Sequence, residues 1–167
     1  FAFEHYEVVP DILTMAKAMG GGLPIGAFVS GYDMMLDLTH DPMLGHITTF
    51  GGNPVCCAAA NAVLEILTKG NLLKDVEEKG RLFEEILRSP EVKEIRRKGL
   101  MMAIDFEHEK MVQQIVRGCI DRGVITYFFL SNRNSFRLAP PLTITFEEIR
   151  TAGNIIKDVI KQVGYYG

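Results

Sequence analysis

Apolar residues recur along this chain at two spacings, and each predicts its own kind of element. Met111, Val112, Ile115, Val116, Cys119 and Ile120 share one helical face, which predicts a core-packed helix ended by Gly123. A second helix is predicted from Asn53, a good N-cap, through Pro54 at the first helical position to a stop at Gly70. A third is expected over about residues 71–89. Its Glu77/Arg81 and Glu84/Arg88 pairs at i,i+4 describe a solvated face. Thr145 and Glu148 form a capping-box pattern that opens a last helix, running to about residue 163. Shorter apolar runs predict strands: "VVPDILTMA" at 8–16, with Pro10 at its edge, "IGAFVS" at 25–30 and "LMMAIDF" at 100–106. "VITYFFL" at 124–130 and "SFRLA" at 135–139 add two more, joined in a hairpin through "SNRN". Residues 32–52 read as loop-rich, with a short helix at 34–38. The "RRK" run at 96–98 reads as surface charge.

The pattern is α/β, with a boundary near residue 70. Residues 1–70 hold a sheet piece that looks incomplete, and residues 71–167 hold a small α/β domain. No internal repeat or low-complexity segment interrupts it. The opening "FAFEHYEVVPD" reads as mid-domain sequence, so the expectation is a piece of a longer protein.

Composition narrows the function classes. The chain is 47% hydrophobic and 23% charged with net charge −3, an ordinary balance for a globular protein. It offers no electrostatic footprint for nucleic acid or an anionic membrane. No apolar run approaches the ~20 residues of a membrane-spanning helix. Cys56 and Cys57 are adjacent and Cys119 stands apart, which argues against a disulfide framework and favours a reducing compartment. His5, His40, His46 and His108 make no metal-binding spacing.

Three places could carry chemistry. Lys17 lies in an apolar run directly before Gly20, Gly21 and Gly22, in the connection between two predicted strands. It reads either as a strand-end lysine reaching water or as a Schiff-base nucleophile. In "ITTFGGNP", at 47–54, hydroxyls and glycines lead into a helix N-terminus, which reads as an anion site or as a capped helix behind a turn. Arg137 alternates with Phe136 and Leu138, so it points away from their face. It is a surface charge or a bidentate clamp for a carboxylate. Together an amine nucleophile, a phosphate-type site and a carboxylate clamp match what pyridoxal 5'-phosphate (PLP) chemistry on amino acids requires.

"PDILTMAKAMGGGLPIGAF", "TTFGGNPVCCAAA" and "FRLAPPLTIT" resemble, in order and spacing, the C-terminal landmarks of the class III (ω-) aminotransferases of PLP fold type I. Acetylornithine, ornithine and 4-aminobutyrate aminotransferases are members. The resemblance covers almost the whole chain. It implies the end of the large PLP-binding domain over residues 1–70 and the small C-terminal domain over 71–167. Lys17 then matches the lysine that forms the Schiff base with PLP and later moves a proton between the substrate Cα and the cofactor C4′. The glycines would let the backbone pass close to the cofactor. Thr49 matches the residue that binds the PLP phosphate of the neighbouring subunit, and Arg137 the one that holds the substrate carboxylate. The full-length form would be a cytoplasmic homodimer that transfers an amino group from a donor to a 2-oxo acid. The family's phosphate loop, ring-stacking aromatic and ring-nitrogen Asp lie upstream of what "FAFEHY" resembles, so the 167-residue piece alone would be inactive. A decarboxylase or aminomutase using the same lysine is an alternative within the family. A non-catalytic anion- or nucleotide-binding module is the alternative outside it, although "GGGLPIG" lacks the GxGxxG spacing.

Overall fold

In the computed structural model, which describes residues 1–43 and 45–166, the chain falls into two units, Phe1–Gly70 and Asn71–Gly167. The first is built on an antiparallel ribbon of β1 (Ile12–Met15) and β2 (Ala27–Ser30), with Leu13 opposite Val29. The strand expected over 8–16 is shorter because Val8 and Val9 lie outside the ribbon, ahead of Pro10, whose nitrogen has no proton to donate. A short helix, α1 (Tyr32–Leu36), begins two residues earlier than expected. Then comes α2 (Pro54–Lys69), which starts and stops where the sequence signals place it. The Asn53 Oδ1 accepts from the amides of Val55 at 3.0 Å and Cys56 at 3.3 Å. That satisfies two of the four amides a helix start leaves unbonded. Among the described residues of this unit only Gly20 and Ala60 are buried.

The second unit has a core of its own. Four strands, β3 (Glu94–Lys98), β4 (Met101–Asp105), β5 (Tyr127–Phe128) and β6 (Ser135–Leu138), form a sheet in the order β3-β4-β6-β5, antiparallel throughout. Three helices, α3 (Val76–Leu87), α4 (Glu109–Asp121) and α5 (Phe146–Tyr166), pack on one face of it. Met102, Ile104, Phe136 and Leu138 point from the sheet into a cluster with Phe83 and Leu87 of α3, Val112 and Ile115 of α4, and Ile149 and Ile156 of α5. Each such side chain contributes about 1.5–3 kcal/mol when fully buried. The capping box at α5 forms in both directions. The Thr145 amide donates to Glu148 Oε2 at 2.8 Å, and the Glu148 amide donates to Thr145 Oγ1 at 3.2 Å.

Several sequence expectations change here. The third helix begins at Val76, because residues 71–75 turn back on themselves before the Asp75 carbonyl accepts the first helical bond. Ile120, at the end of the α4 stripe, is half exposed. The apolar run at 124–130 supplies only two ladder residues. The Val124 amide is taken by the Cys119 carbonyl at the end of α4, and Leu130 projects from the hairpin turn.

The largest change concerns "RRK", read as surface charge: it lies in strand β3, where Arg96 and Lys98 are exposed but Arg97 is not. Arg97 points to the helix side, where its guanidinium donates to Glu77 at 2.8 Å and Glu84 at 2.7 Å. Its side chain is only 14% exposed. Gly80 makes this approach possible, since a Cβ there would lie 2.2 Å from the Gly99 carbonyl oxygen. Glu77 therefore bonds to a strand rather than to Arg81 one turn along its own helix. Arg88 and Arg97 together hold the Glu84 carboxyl below its usual range, and Arg97 does the same for Glu77.

Arg97→Met removes the cation and leaves Glu84 without its inter-element partner, so it should destabilise the chain by about 1–3 kcal/mol at pH 7. Both glutamates have folded pKa values below the unfolded ~4.3, so the unfolded chain takes up protons first as pH falls. The stability gap between wild type and Arg97→Met should therefore be full at neutral pH and narrow as pH drops through about 4. Urea melts followed by circular dichroism at pH 7 and pH 3.5 would measure it. A gap that did not depend on pH would mean that Arg97 acts through packing alone.

Candidate functional site

Lys17 opens a single 3-10 turn, Lys17–Gly20, between β1 and β2. Its φ is 55°, in the left-handed region. Side chains enter that region at a cost of about 1–2 kcal/mol, and such outliers concentrate at functional sites. A second turn follows directly behind it. The Gly21 amide donates to the Ala18 carbonyl at 3.0 Å, and Gly21 is itself at φ 58°. A Cβ on Gly21 would lie 2.7 Å from a Val63 methyl of α2. The glycine run therefore serves two ends: it lets the chain turn left-handed, and it seats the turn against α2. Lys17 is exposed, and its amine has no hydrogen-bond or ion-pair partner among the described residues. Spacing alone gave no sign of the unusual φ.

Thr49 lies at the tip of a turn closed by the Gly51 amide donating to the Thr48 carbonyl at 3.2 Å. It is exposed, beside Phe50, which is 82% exposed. The next turn, closed by the Asn53 amide on the Phe50 carbonyl at 3.2 Å, delivers the chain to α2. Because Asn53 occupies the first amides of α2, the capped-helix reading of this stretch holds within the chain. Lys17 and Thr49 share no hydrogen bond.

Arg137 belongs to the second unit, at the middle of β6. Phe136 and Leu138 are buried and Arg137 is exposed, as their alternating positions imply, while Ser135 at the start of the strand is buried against Asp105. Antiparallel pairing places Ala103 of β4 on one side of it and Tyr127 of β5 on the other. Arg96 of β3 lies beyond Ala103 in the same row. The two arginines differ in one decisive respect. Arg96 forms a two-pronged bond to Asp105, Nε at 2.9 Å and Nη2 at 3.0 Å. That pair, with a hydroxyl bond from Ser135, holds the Asp105 carboxyl below its usual range. Arg137 has no carboxylate partner among the described residues. The face thus carries one neutralised guanidinium and one that is free to bind an anion. Sequence reading missed the Arg96–Asp105 pair, because it depends on a cross-strand register that the residue types do not announce.

The loop after Arg137 is pinned from below. Lys79 of α3 is 9% exposed, and its amine donates to the Leu142 carbonyl at 3.1 Å. The same amine lies 6.0 Å from the centre of the Phe146 ring.

Comparison with known proteins identifies the family and the fold. The model of the class-III aminotransferases matches residues 1–160. An acetylornithine aminotransferase of Caldanaerobacter subterraneus subsp. tengcongensis is 41% identical over 170 residues, which cover 99% of this chain and 42% of that protein. The acetylornithine aminotransferase of Haemophilus ducreyi is 38% identical over 164 residues, covering 98% of this chain and 40% of that one. A Toxoplasma gondii ornithine aminotransferase structure, described with partial occupancy of PLP at its active site, superposes with a TM-score of 0.87. It is 32% identical and matches 99% of this chain and 39% of its own. The chain thus spans about 40% of the length of these relatives. Its fold is part of the fold type I aminotransferase architecture, and the chain belongs to the class III aminotransferases.

Proposed function

We propose that this chain serves as the C-terminal portion of a PLP-dependent aminotransferase that moves an amino group between an amino donor and a 2-oxo acid. The full-length form would be a cytoplasmic homodimer, with residues 1–70 closing the large domain and 71–167 forming the small one. One observation carries the reading: Lys17, held at φ 55° with an exposed and unpartnered amine. That is what an aldehyde cofactor needs from a protein, and the exposed Thr49 hydroxyl is a fitting donor for a phosphate. The donor set fits PLP. When bound, PLP supplies a conjugated ring that takes up the electrons released at the substrate Cα.

The residues then divide the work. Lys17 would hold the cofactor through its amine, and the same amine would serve to carry a proton to or from the substrate Cα. Thr49 would donate its hydroxyl to the phosphate in the neighbouring subunit. Arg137 would grip the substrate carboxylate through two parallel N–H bonds. The first unit buries almost none of its own apolar side chains, with Val9 89% and Tyr32 77% exposed. An isolated 167-residue chain should accordingly bind PLP poorly and show no transaminase activity.

In the full-length enzyme, borohydride reduction should fix the cofactor covalently on Lys17, read by peptide mass spectrometry. Lys17→Ala should nearly abolish transamination; label on another lysine would refute the assignment. Arg137→Lys should raise KM for 2-oxo acids more than tenfold, ~1.4 kcal/mol, since a point-charge amine cannot reproduce the planar fork. An unchanged KM would return Arg137 to the role of a surface charge. Thr49→Val should weaken PLP binding by ~1.5–3 kcal/mol, one hydrogen bond to a charged group, and leave the fold intact. Equilibrium titration of the cofactor would show it, and an unaltered affinity would remove Thr49 from the phosphate site.

A further inference from the structure

Tyr127 stands directly opposite Arg137 in the β5–β6 pairing, and its ring centre lies 5.8 Å from the guanidinium carbon. That is inside the ~6 Å range over which an aromatic face attracts a cation. We propose that Tyr127 is a positioning residue for Arg137, holding the guanidinium in one orientation so that its N–H edge is presented to the substrate carboxylate. The proposal rests on the reading of Arg137 as the carboxylate clamp.

The neighbours of Arg137 explain why such a residue is needed. A long side chain on an exposed strand position keeps many rotamers, and a clamp that must choose among them loses ordering free energy at each binding event. Across β4, Ala103 offers only a methyl group, and the next residue in the row, Arg96, is a like charge already paired with Asp105. Neither can hold Arg137. Of its two directly paired neighbours, Tyr127 is the one that attracts it. The ring attracts the guanidinium as a cation without using its N–H groups, and those remain for a carboxylate, so the two contacts do not compete. Tyr127 is itself 57% exposed and lies outside the packed core, which separates this role from one in folding.

The test uses the full-length enzyme with PLP and two acceptors, a 2-oxo acid and an aldehyde that lacks the carboxylate. Tyr127→Leu should raise KM for the 2-oxo acid about three- to tenfold, leave its kcat within about twofold, and leave the aldehyde reaction unchanged. Tyr127→Phe, which keeps the aromatic face, should behave as wild type. In an Arg137→Ala background, Tyr127→Leu should have no further effect on the 2-oxo acid. An unchanged KM in Tyr127→Leu, or equal losses with both acceptors, would overturn the proposal. Arg137→Ala separates the two failures. If it too leaves KM unchanged, the carboxylate-clamp reading fails; if it raises KM while Tyr127→Leu does not, only the positioning role fails. Thermal melts of each variant identify any loss that comes from unfolding, and the aromatic variant then decides the outcome.

Discussion

The two-sidedness of a β-strand is the constraint on which the second unit depends. Side chains along β6 alternate, so the same four residues that bury Phe136 and Leu138 must turn Arg137 to the other face. A slip of one residue would expose Phe136 and drive a guanidinium among the apolar side chains of the core. The hydrophobic register therefore fixes the candidate carboxylate site, and the large buried area holding Phe136 in place guards a side chain that shares none of it. Pairing with β4 and β5 extends the effect sideways by choosing Ala103 and Tyr127 as neighbours.

The features written locally in the sequence were legible there. Asn53, Pro54, Thr145 and Glu148 act on backbone groups within a turn of themselves, and each does in the fold what its type and spacing predict. The alternation at Phe136, Arg137 and Leu138 was equally readable. What escaped was set by partners distant in the chain. Arg97 is twenty residues from Glu77, and only the close approach of α3 to the β3–β4 turn through Gly80 makes them neighbours. Lys79 reaches a carbonyl sixty-three residues away. The "VITYFFL" run misled for a related reason, since apolar content reports burial or exposure at a hairpin equally well.

Residues 17 and 49 are candidates of another kind. Their residue types and neighbours pointed to them, while the physical feature that distinguishes Lys17, its left-handed backbone, belongs to the closed turn rather than to any residue in it. The first unit as a whole is held by ladder bonds, a cap and glycine contacts, with little apolar burial. Its strength lies in directional bonds that specify local shape, a different basis from the packed interior of the second unit.

The sheet of the second unit ends in two unlike edges, and both resist growth. β3 carries Glu94, Arg96 and Lys98 along one side of its edge, so an added strand would have to match or displace charges. β5 is apolar and exposed but only two residues long, too short a rung for another backbone to join with profit. Charge closes one end of the sheet and brevity the other. The uncovered aromatic residues of the hairpin can therefore meet other molecules as side chains without drawing the backbone into an aggregating ladder.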